Sequence, residues 1–217
     1  MPSQDSENST RQRLLNAAGE CFAEHGFHGA PVREISQRAD ANVAAINYHF
    51  GDKYKLYEAV LLEAINYAED RFRTLREQAD TLGLAQRLHG FVGSLLMGGL
   101  DPERPVWHCK LLCMEMADPG PALDTLFAKS LSGRFGLLRG IVSELLARPA
   151  EETEITLHAC SVLGQTLFYL RSRQMLPKML PGFALDIDGL EKLTTHITQF
   201  SLAAIEERNR RVIGSDG

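Results

Sequence analysis

The segment from Pro31 to Lys53, PVREISQRADANVAAINYHFGDK, places amide, phenol and small apolar groups on one side of a predicted helix. At about 100° per residue, that side carries Val43, Ala44, Asn47 and Tyr48. Ile46 and Phe50 point away and would anchor the helix to its neighbours. An asparagine amide can pair with the edge of adenine, a tyrosine hydroxyl can reach a phosphate or a base, and small apolar groups can pack on thymine methyl groups. The pattern therefore predicts a helix that reads DNA.

A short helix and a tight turn would position this reading helix. The apolar residues of the short helix recur at i, i+3 and i+7, and they are Val32, Ile35 and Ala39. Asp40 and Asn42 lie in the turn that follows, and the side chain of Asn42 can cap the next helix. The two helices could also be ordinary core-packing helices with incidental polar residues, and this alternative stays open.

A further helix is predicted to follow the reading helix, with Asp52 as its cap and Lys53 in its first turn. A lysine is electrostatically disfavoured at a helix N-terminus, so its placement favours a contact with phosphate. We expect one long helix here. Its buried stripe would be Leu56, Val60, Ala64, Ala68, Phe72 and Leu75.

The first helix of the chain should pack against this pair of helices. Thr10 can cap it, and it should end near His25 with Gly26 in a left-handed conformation. Residues 1–9 are polar and are expected to be disordered.

Composition and charge limit the function classes. The chain has 217 residues, is 44% hydrophobic and carries a formal net charge of −5. Residues 11–55 hold six Lys or Arg against five Asp or Glu, so non-specific DNA affinity should be modest and binding should depend on local geometry, helix N-termini and dimerisation. Four cysteines, without a signal pattern or long apolar span, suit free thiols in the cytoplasm and no membrane partner.

The helical period continues from about Leu82 to the end of the chain, with breaks at proline and glycine clusters. Gly133, Gly136 and Gly140 share one predicted helix face, which suggests a close helix crossing or room for a ligand. In the final helix, an apolar seam could pack on a helix of the same chain or of a second chain. The seam consists of Leu193, Ile197, Phe200 and Ala204.

Residues 11–60 resemble the N-terminal DNA-binding domain of the tetracycline-repressor (TetR) family. The resemblance rests on FAEHGF at the end of the first helix, on VREIS before a three-residue turn, and on NYHFGDKYKLYEAV. The Asn-Tyr-His-Phe end of the reading helix is similar to a branch in which asparagine replaces the usual tyrosine. Pro31 stands where the family usually has threonine or serine, so one hydroxyl contact with phosphate is in doubt. Asp40 stands where the family commonly has glycine, so the left-handed geometry of the turn is in doubt.

The resemblance implies an all-α protein with a three-helix helix-turn-helix domain at residues 10–55 and a helical effector-binding and dimerisation domain at 56–217. It implies a homodimeric, ligand-responsive transcriptional repressor that binds a palindromic double-stranded DNA operator and is not an enzyme. The expected DNA-contacting residues are Pro31, Val32, Asn42, Val43, Ala44, Ala45, Asn47, Tyr48, His49 and Lys53. The expected dimer residues are Leu163, Leu167, Leu193, Ile197, Phe200 and Ala204.

An unknown small-molecule effector would bind among the C-terminal helices. Its expected contacts are Trp107, His108, Met114, Phe127, Phe168 and Tyr169. His108, Cys109, Cys113 and Glu115 also raise a metal or redox alternative, but no CxxC pair supports it, so no metal or cofactor is predicted. Two rival classes of protein stay open. One is a helical enzyme that uses Cys113 with His108, and the other is an interaction module in which the helix-turn-helix is only a scaffold. No nucleophile elbow, phosphate loop or HExxH pattern supports the enzyme.

Overall fold

Apolar side chains recur at helical spacing along the chain, and the computed structural model is helical wherever it describes regular structure. It describes residues 4–67, 69–100, 104–146 and 150–215. The helices in these ranges are α1 (Gln4–Gly29), α2 (Val32–Arg38), α3 (Val43–Phe50), α4 (Lys53–Asn66), α5 (Glu69–Glu77), α6 (Leu84–Leu100), α7 (Val106–Ala117), α8 (Leu123–Leu126), α9 (Ser132–Leu145), α10 (Glu152–Arg171), α11 (Leu176–Met179) and α12 (Ile187–Ser215). A π-helical turn, Phe127–Leu131, follows α8. The predicted all-α fold is confirmed.

The chain divides into two compact units. Unit 1 holds the described residues up to Tyr67 together with Pro105–Leu131, and unit 2 holds those of 68–104 and 132–217. In unit 1, α1 packs against α2, α4 and α7, and α3 packs against α2 and α4. Phe22, Ile35 and Tyr57 are among the fully buried side chains of this core.

In unit 2, α6 packs against α5, α9, α10 and α12. Phe72, Phe91 and Ile141 lie in its core and are fully buried or nearly so. The predicted division at residues 55 and 56 stays a prediction. By packing, α4 and α7 lie in the same unit as the helix-turn-helix.

Several boundaries differ from those expected from the sequence. The first helix begins at Gln4 rather than after Thr10, so residues 4–9, which were expected to be disordered, are helical. Residues 1–3 lie outside the described residues. The Arg13 guanidinium donates to the hydroxyls of Ser9 and Thr10 within this polar part of the helix. The single long helix expected after Asp52 is instead two helices, α4 and α5. Phe72 and Leu75 of its predicted stripe are buried in α5, whereas Ala68 lies outside the described residues.

Close helix approaches occur at glycines other than those expected. A Cβ added at Gly19 would lie 2.4 Å from the Trp107 ring, so the absence of a side chain lets α7 approach α1. At Gly133, Gly136 and Gly140 an added Cβ would meet no heavy atom within 4 Å. The close crossing that these three glycines suggested is therefore not found among the described residues of one chain. None of the helices described is long and apolar enough to cross a membrane.

Candidate nucleic-acid interface

The predicted reading helix, α3, exposes the side that the sequence pattern indicates. Ile46 is 1% exposed and Phe50 is 8% exposed, and both lie in the core of unit 1. The opposite side is open to solvent, and Tyr48 is 73% exposed. The exposed residues are Asn42, Val43, Ala44, Asn47 and Tyr48, while Ala45 and His49 are half-buried. The structure thus brings most of the predicted DNA-contacting residues onto one surface.

The turn between α2 and α3 is fixed by backbone hydrogen bonds. The N–H of Ala41 donates to the carbonyl of Ser36 at 3.0 Å, and the N–H of Asp40 donates to that of Gln37 at 3.1 Å. This pair of bonds is the Schellman arrangement, which requires a left-handed residue at the position of Asp40. Asp40 has φ of 48°, which is the required left-handed conformation. Glycine adopts this conformation without strain, whereas aspartate adopts it at some steric cost.

Both ends of α3 are capped. The side chain of Asn42 accepts the N–H of Ala44 at 3.0 Å, as predicted. At the other end Gly51 has φ of 88° and its N–H donates to the carbonyl of Asn47 at 3.0 Å. Asp52 then caps α4 by accepting the N–H of Lys55 at 2.8 Å. These caps hold a helix of eight residues between two tight turns.

Pro31 and Val32 lie at the start of α2. Pro31 is the N-cap residue, with φ of −80°, and its carbonyl accepts the N–H groups of Glu34 and Ile35. Pro31 is exposed and Val32 is half-buried against the unit 1 core. A proline at this position offers no side-chain hydroxyl, and no side-chain hydrogen bond caps α2.

The basic residues near α3 are mostly engaged in packing. The Lys53 ammonium lies 4.9 Å from the centre of the Phe27 ring, and burial lowers the pKa of Lys53. The Arg13 guanidinium donates to the carbonyl of Ala39 at 3.0 Å, and that of Arg11 lies 5.1 Å from the centre of the Phe50 ring. Sequence reasoning missed the roles of Arg11 and Arg13, because their partners are distant in the chain and no local spacing signals them.

A buried polar cluster joins α4 to α7 within unit 1. The Tyr57 hydroxyl donates to one carboxylate oxygen of Glu115, and the N–H of Gly120 donates to the other at 2.9 Å. Burial, reinforced by the hydrogen bond to Glu115, raises the pKa of Tyr57 well above its usual value. Both carboxylate oxygens of Glu115 are thereby engaged, one with α4 and one with the turn after α7.

The residues predicted to contact an effector fall in two units. Trp107 and His108 are buried in unit 1 with ring centres 4.0 Å apart, and Met114 packs on the same core. Phe127, also in unit 1, is 51% exposed. Phe168 and Tyr169 belong to unit 2, where Phe168 is exposed and Tyr169 is half-buried. None of these six residues lines either of the two grooves that the structure describes in unit 2.

Two adjacent grooves lie in unit 2 instead. One has a volume of about 360 Å³ and is lined by Gln86, His89, Thr195, Thr198 and Gln199, among others. The other has a volume of about 340 Å³, shares His89 and Gly90 with the first, and adds Arg71, Thr74 and Glu191. Nε2 of His89 lies 3.1 Å from a carboxylate oxygen of Glu191. Sequence reasoning did not find these grooves, because their polar residues come from three separate helices.

The predicted dimer residues divide by exposure. Leu193 and Ile197 are 5% and 0% exposed and lie in the core of unit 2, so they pack within one chain rather than on an open face. Leu163 and Leu167 are half-buried. Phe200 is 60% exposed and Ala204 is also exposed. Leu157 and Phe168 are further exposed apolar residues of unit 2. The helical period did not distinguish the buried side of the seam from the exposed side, and the dimer contact stays a prediction.

A short helix with an exposed polar and small apolar face, held by a capped turn against a second short helix, defines a helix-turn-helix DNA-binding protein. Residues 14–60 match the family described as bacterial regulatory proteins, tetR family. Residues 84–205, more than half of the chain, match the C-terminal domain of the HTH-type transcriptional dual regulator CecR. The chain therefore belongs to the TetR family of regulators and carries a CecR-type C-terminal domain. The family is one of transcriptional regulators and not of enzymes.

Individual relatives agree with this assignment. The chain is 36% identical over 103 residues to the transcriptional repressor AcnR of Corynebacterium efficiens. The matched stretch covers 48% of this chain and 47% of that protein. It is 24% identical over 196 residues to CecR of Shigella flexneri, covering 87% of each. The match therefore spans about half the length of AcnR and most of CecR. Among solved structures, FadR of Bacillus subtilis in complex with stearoyl-CoA has the same fold, with a TM-score of 0.65, 16% identity, and coverage of 88% of this chain and 97% of that one.

The cap at Asn42 gives a test of how α3 is held. Asn42→Ala is expected to lower the free energy of unfolding by about 1 kcal/mol, because the N–H of Ala44 loses its acceptor. Asn42→Asp keeps an acceptor oxygen in place and should leave the free energy of unfolding nearly unchanged. Urea denaturation followed by circular dichroism measures both variants. Equal stability of the alanine variant and the wild type would show that the cap does not hold α3.

Proposed function

We propose that this chain is a sequence-specific transcriptional repressor that acts in the cytoplasm and reads a palindromic operator with α3 of each of two chains. The observation that carries the proposal is the face of α3, where Asn47 and Tyr48 are exposed beside small apolar residues while Ile46 and Phe50 are buried. This combination leaves base-reading groups on the outside of a helix whose rotation is fixed. The residue types match adenine edges, phosphates and thymine methyl groups.

The expected DNA contacts differ in kind. Asn47, Tyr48 and the small residues Val43, Ala44 and Ala45 would face base edges, with His49 at their border. Pro31, Val32, Asn42 and Lys53 would lie at the helix starts, where backbone N–H groups attract phosphates. The engagement of Lys53 with Phe27 keeps this ammonium close to the start of α4, which suits a short-range contact with phosphate.

Substitutions on α3 test this function directly. Asn47→Ala and Tyr48→Ala are each expected to weaken binding to the operator by about tenfold or more, because a good base contact contributes about 1–3 kcal/mol and is made in both half-sites. Gel shifts on the DNA upstream of the protein's own gene, at low and moderate salt, measure the loss. Asn47→Ala should also relax the preference for adenine at one position of each half-site.

Val106→Ala is the matched control, since Val106 is 74% exposed on α7 and lies outside the predicted interface. It should bind as the wild type does. If the α3 variants also bind as the wild type does, with unchanged circular dichroism, α3 is a scaffold and the proposed function is wrong.

We propose that two chains associate through α10 and α12. One reading helix makes few base contacts, and a twofold pair would place two of them about 34–36 Å apart, one turn of DNA, or a multiple of this distance. The support lies in large exposed apolar side chains on these helices, namely Leu157, Phe168 and Phe200. Gly164 lies between Leu157 and Phe168 on α10, and an added Cβ there would meet nothing within 4 Å, which leaves room for a partner helix.

Phe200→Asp tests the dimer, because a carboxylate at this position would be buried without a partner on association. The variant is expected to be monomeric by light scattering at concentrations where the wild type is dimeric, and to lose at least about tenfold in operator affinity. Val106→Asp places the same charge on an exposed apolar residue of α7 and should change neither property. A dimeric Phe200→Asp variant would exclude this face as the interface.

We propose that a small effector releases the repressor and binds in the two adjacent grooves of unit 2. Their volumes fall within the usual range for small-molecule sites, roughly 300–1,000 Å³. Their surface is largely apolar with a few amide, hydroxyl and imidazole groups, which favours a mainly apolar ligand that forms a few hydrogen bonds. FadR of Bacillus subtilis was crystallised with stearoyl-CoA, and at 16% identity this likeness carries the fold and not the ligand.

Gln199→Trp tests this placement, because an indole would fill the first groove from its exposed rim. In a screen of small, mainly apolar metabolites, a compound that releases the wild-type operator complex is expected to act at least about tenfold more weakly on the Gln199→Trp complex. Lys192→Trp, which adds an indole to the same helix outside the groove, should respond as the wild type does. Equal release of all three complexes would place the effector elsewhere.

A further inference from the structure

Three possible metal ligands of different chemistry converge where α1 packs on α2. Cys21 and His25 lie one turn apart on α1, and Glu34 lies in the first turn of α2. The sulfur of Cys21, a ring nitrogen of His25 and a carboxylate oxygen of Glu34 all lie within 4.8 Å of one another. Within the part of the chain that the structure describes, this is the one trio of such ligands that meets so closely.

The separations suit one small ion. Ligand atoms bound at about 2.0–2.3 Å to a tetrahedral zinc ion lie roughly 3.3–3.8 Å from one another. Nε2 of His25 is 3.7 Å from Oε1 of Glu34, which is already within that range. The remaining pairs, at no more than 4.8 Å, need to close by at most about 1 Å, which side-chain rotation of His25 and Glu34 can supply.

The local backbone explains why these side chains meet. Residues four apart on a helix share one face, which places Cys21 and His25 together. Gly26 follows immediately with φ of 69° and ends the regular part of α1, so the chain turns back and presents Glu34 to the same face. A metal ion bound here would join the two sides of this turn.

One of the three candidate ligands, Glu34, is already paired with a neighbouring cation, Arg38. Arg38 donates to Glu24 at 2.6 Å and to Glu34 at 2.5 Å, and Glu20 lies 4.0 Å from the same guanidinium. Three carboxylates thus surround one arginine. If Glu34 turns toward a metal ion, Arg38 keeps its hydrogen bond to Glu24, so the rearrangement leaves no buried charge without a partner.

The ligand types select the ion. A thiolate with an imidazole favours zinc over magnesium or calcium, which prefer oxygen ligands alone. The His25 side chain is 42% exposed, so the ion can enter from solvent and keep a water molecule as a fourth ligand. The Cys21 thiol is fully buried, so it would lie on the inner side of the ion and His25 on the solvent side.

We propose that Cys21, His25 and Glu34 form a zinc site that fastens α2, the first helix of the helix-turn-helix, to α1. This site goes beyond the proposed repressor function, because it requires neither operator nor effector. Its role is to fix the support of the reading helix.

Cobalt(II) and zinc(II) added to the metal-free, full-length protein test the site. Cobalt is expected to give a thiolate-to-metal charge-transfer band in the near ultraviolet, at one ion per chain, and zinc is expected to displace it. Cys21→Ser should abolish the band. The matched control, Cys160→Ser, removes an exposed cysteine of unit 2 and should leave the band unchanged.

Cys21 is buried, so its substitution could unfold unit 1, and two exposed-side variants keep the test decisive. His25→Gln and Glu34→Gln are each expected to weaken zinc binding by about tenfold or more in competition with a chromophoric chelator. Zinc should raise the Tm of the wild type and of Cys160→Ser, but not that of His25→Gln.

Several results would overturn the proposal. A wild-type protein without a charge-transfer band would do so, as would a band retained in Cys21→Ser or one lost in Cys113→Ser, which would move the ligand to α7. These readouts need no DNA, so a failed zinc site and a failed repressor function are distinguished.

Discussion

The burial of Ile46 and Phe50 is the contact on which the proposed DNA-reading surface depends. A helix of eight residues is too short to be stable alone, since isolated helices below about 12–15 residues are marginal in water. Each of these buried side chains contributes about 1.5–3 kcal/mol by leaving water. Their position on one side of α3 also sets the rotation of the helix. Asn47 and Tyr48 point outward for the same reason that Ile46 and Phe50 point inward.

Charge has a smaller part than in many DNA-binding proteins. Arg38 is paired with Glu24 and Glu34, Arg13 supports the turn through Ala39, and Arg11 and Lys53 lie over aromatic rings. These cations stabilise the helix-turn-helix through contacts within unit 1. A weak general electrostatic field lowers non-specific DNA affinity, so in the proposed function the discrimination between sequences depends on the geometry of α3. The net charge of −5 is therefore compatible with a sequence-specific reader.

Features governed by neighbours along the chain could be predicted from the sequence. The buried and exposed sides of α3, the cap at Asn42 and the left-handed Gly26 all follow from helical period and turn chemistry. Contacts between distant residues could not be predicted in this way. The bond from Tyr57 to Glu115 and the packing of Trp107 on Gly19 depend on how α7 meets α4 and α1. Leu193 and Phe200 show what helical periodicity cannot predict. Both belong to one apolar seam, but only Leu193 is buried within the chain.

The buried hydrogen bond from Tyr57 to Glu115 extends this dependence beyond α3. The reading helix rests on α4, and α4 is held to α7 by that bond within unit 1. Separating Tyr57 from Glu115 would leave a buried carboxylate with one partner fewer, which costs about 1–3 kcal/mol or more. We therefore expect α4 and α7 to move together when either is displaced. Because Glu115 also accepts the N–H of Gly120, the turn after α7 is fixed by the same carboxylate that binds Tyr57, so one side chain of α7 links this turn to the helix on which α3 packs.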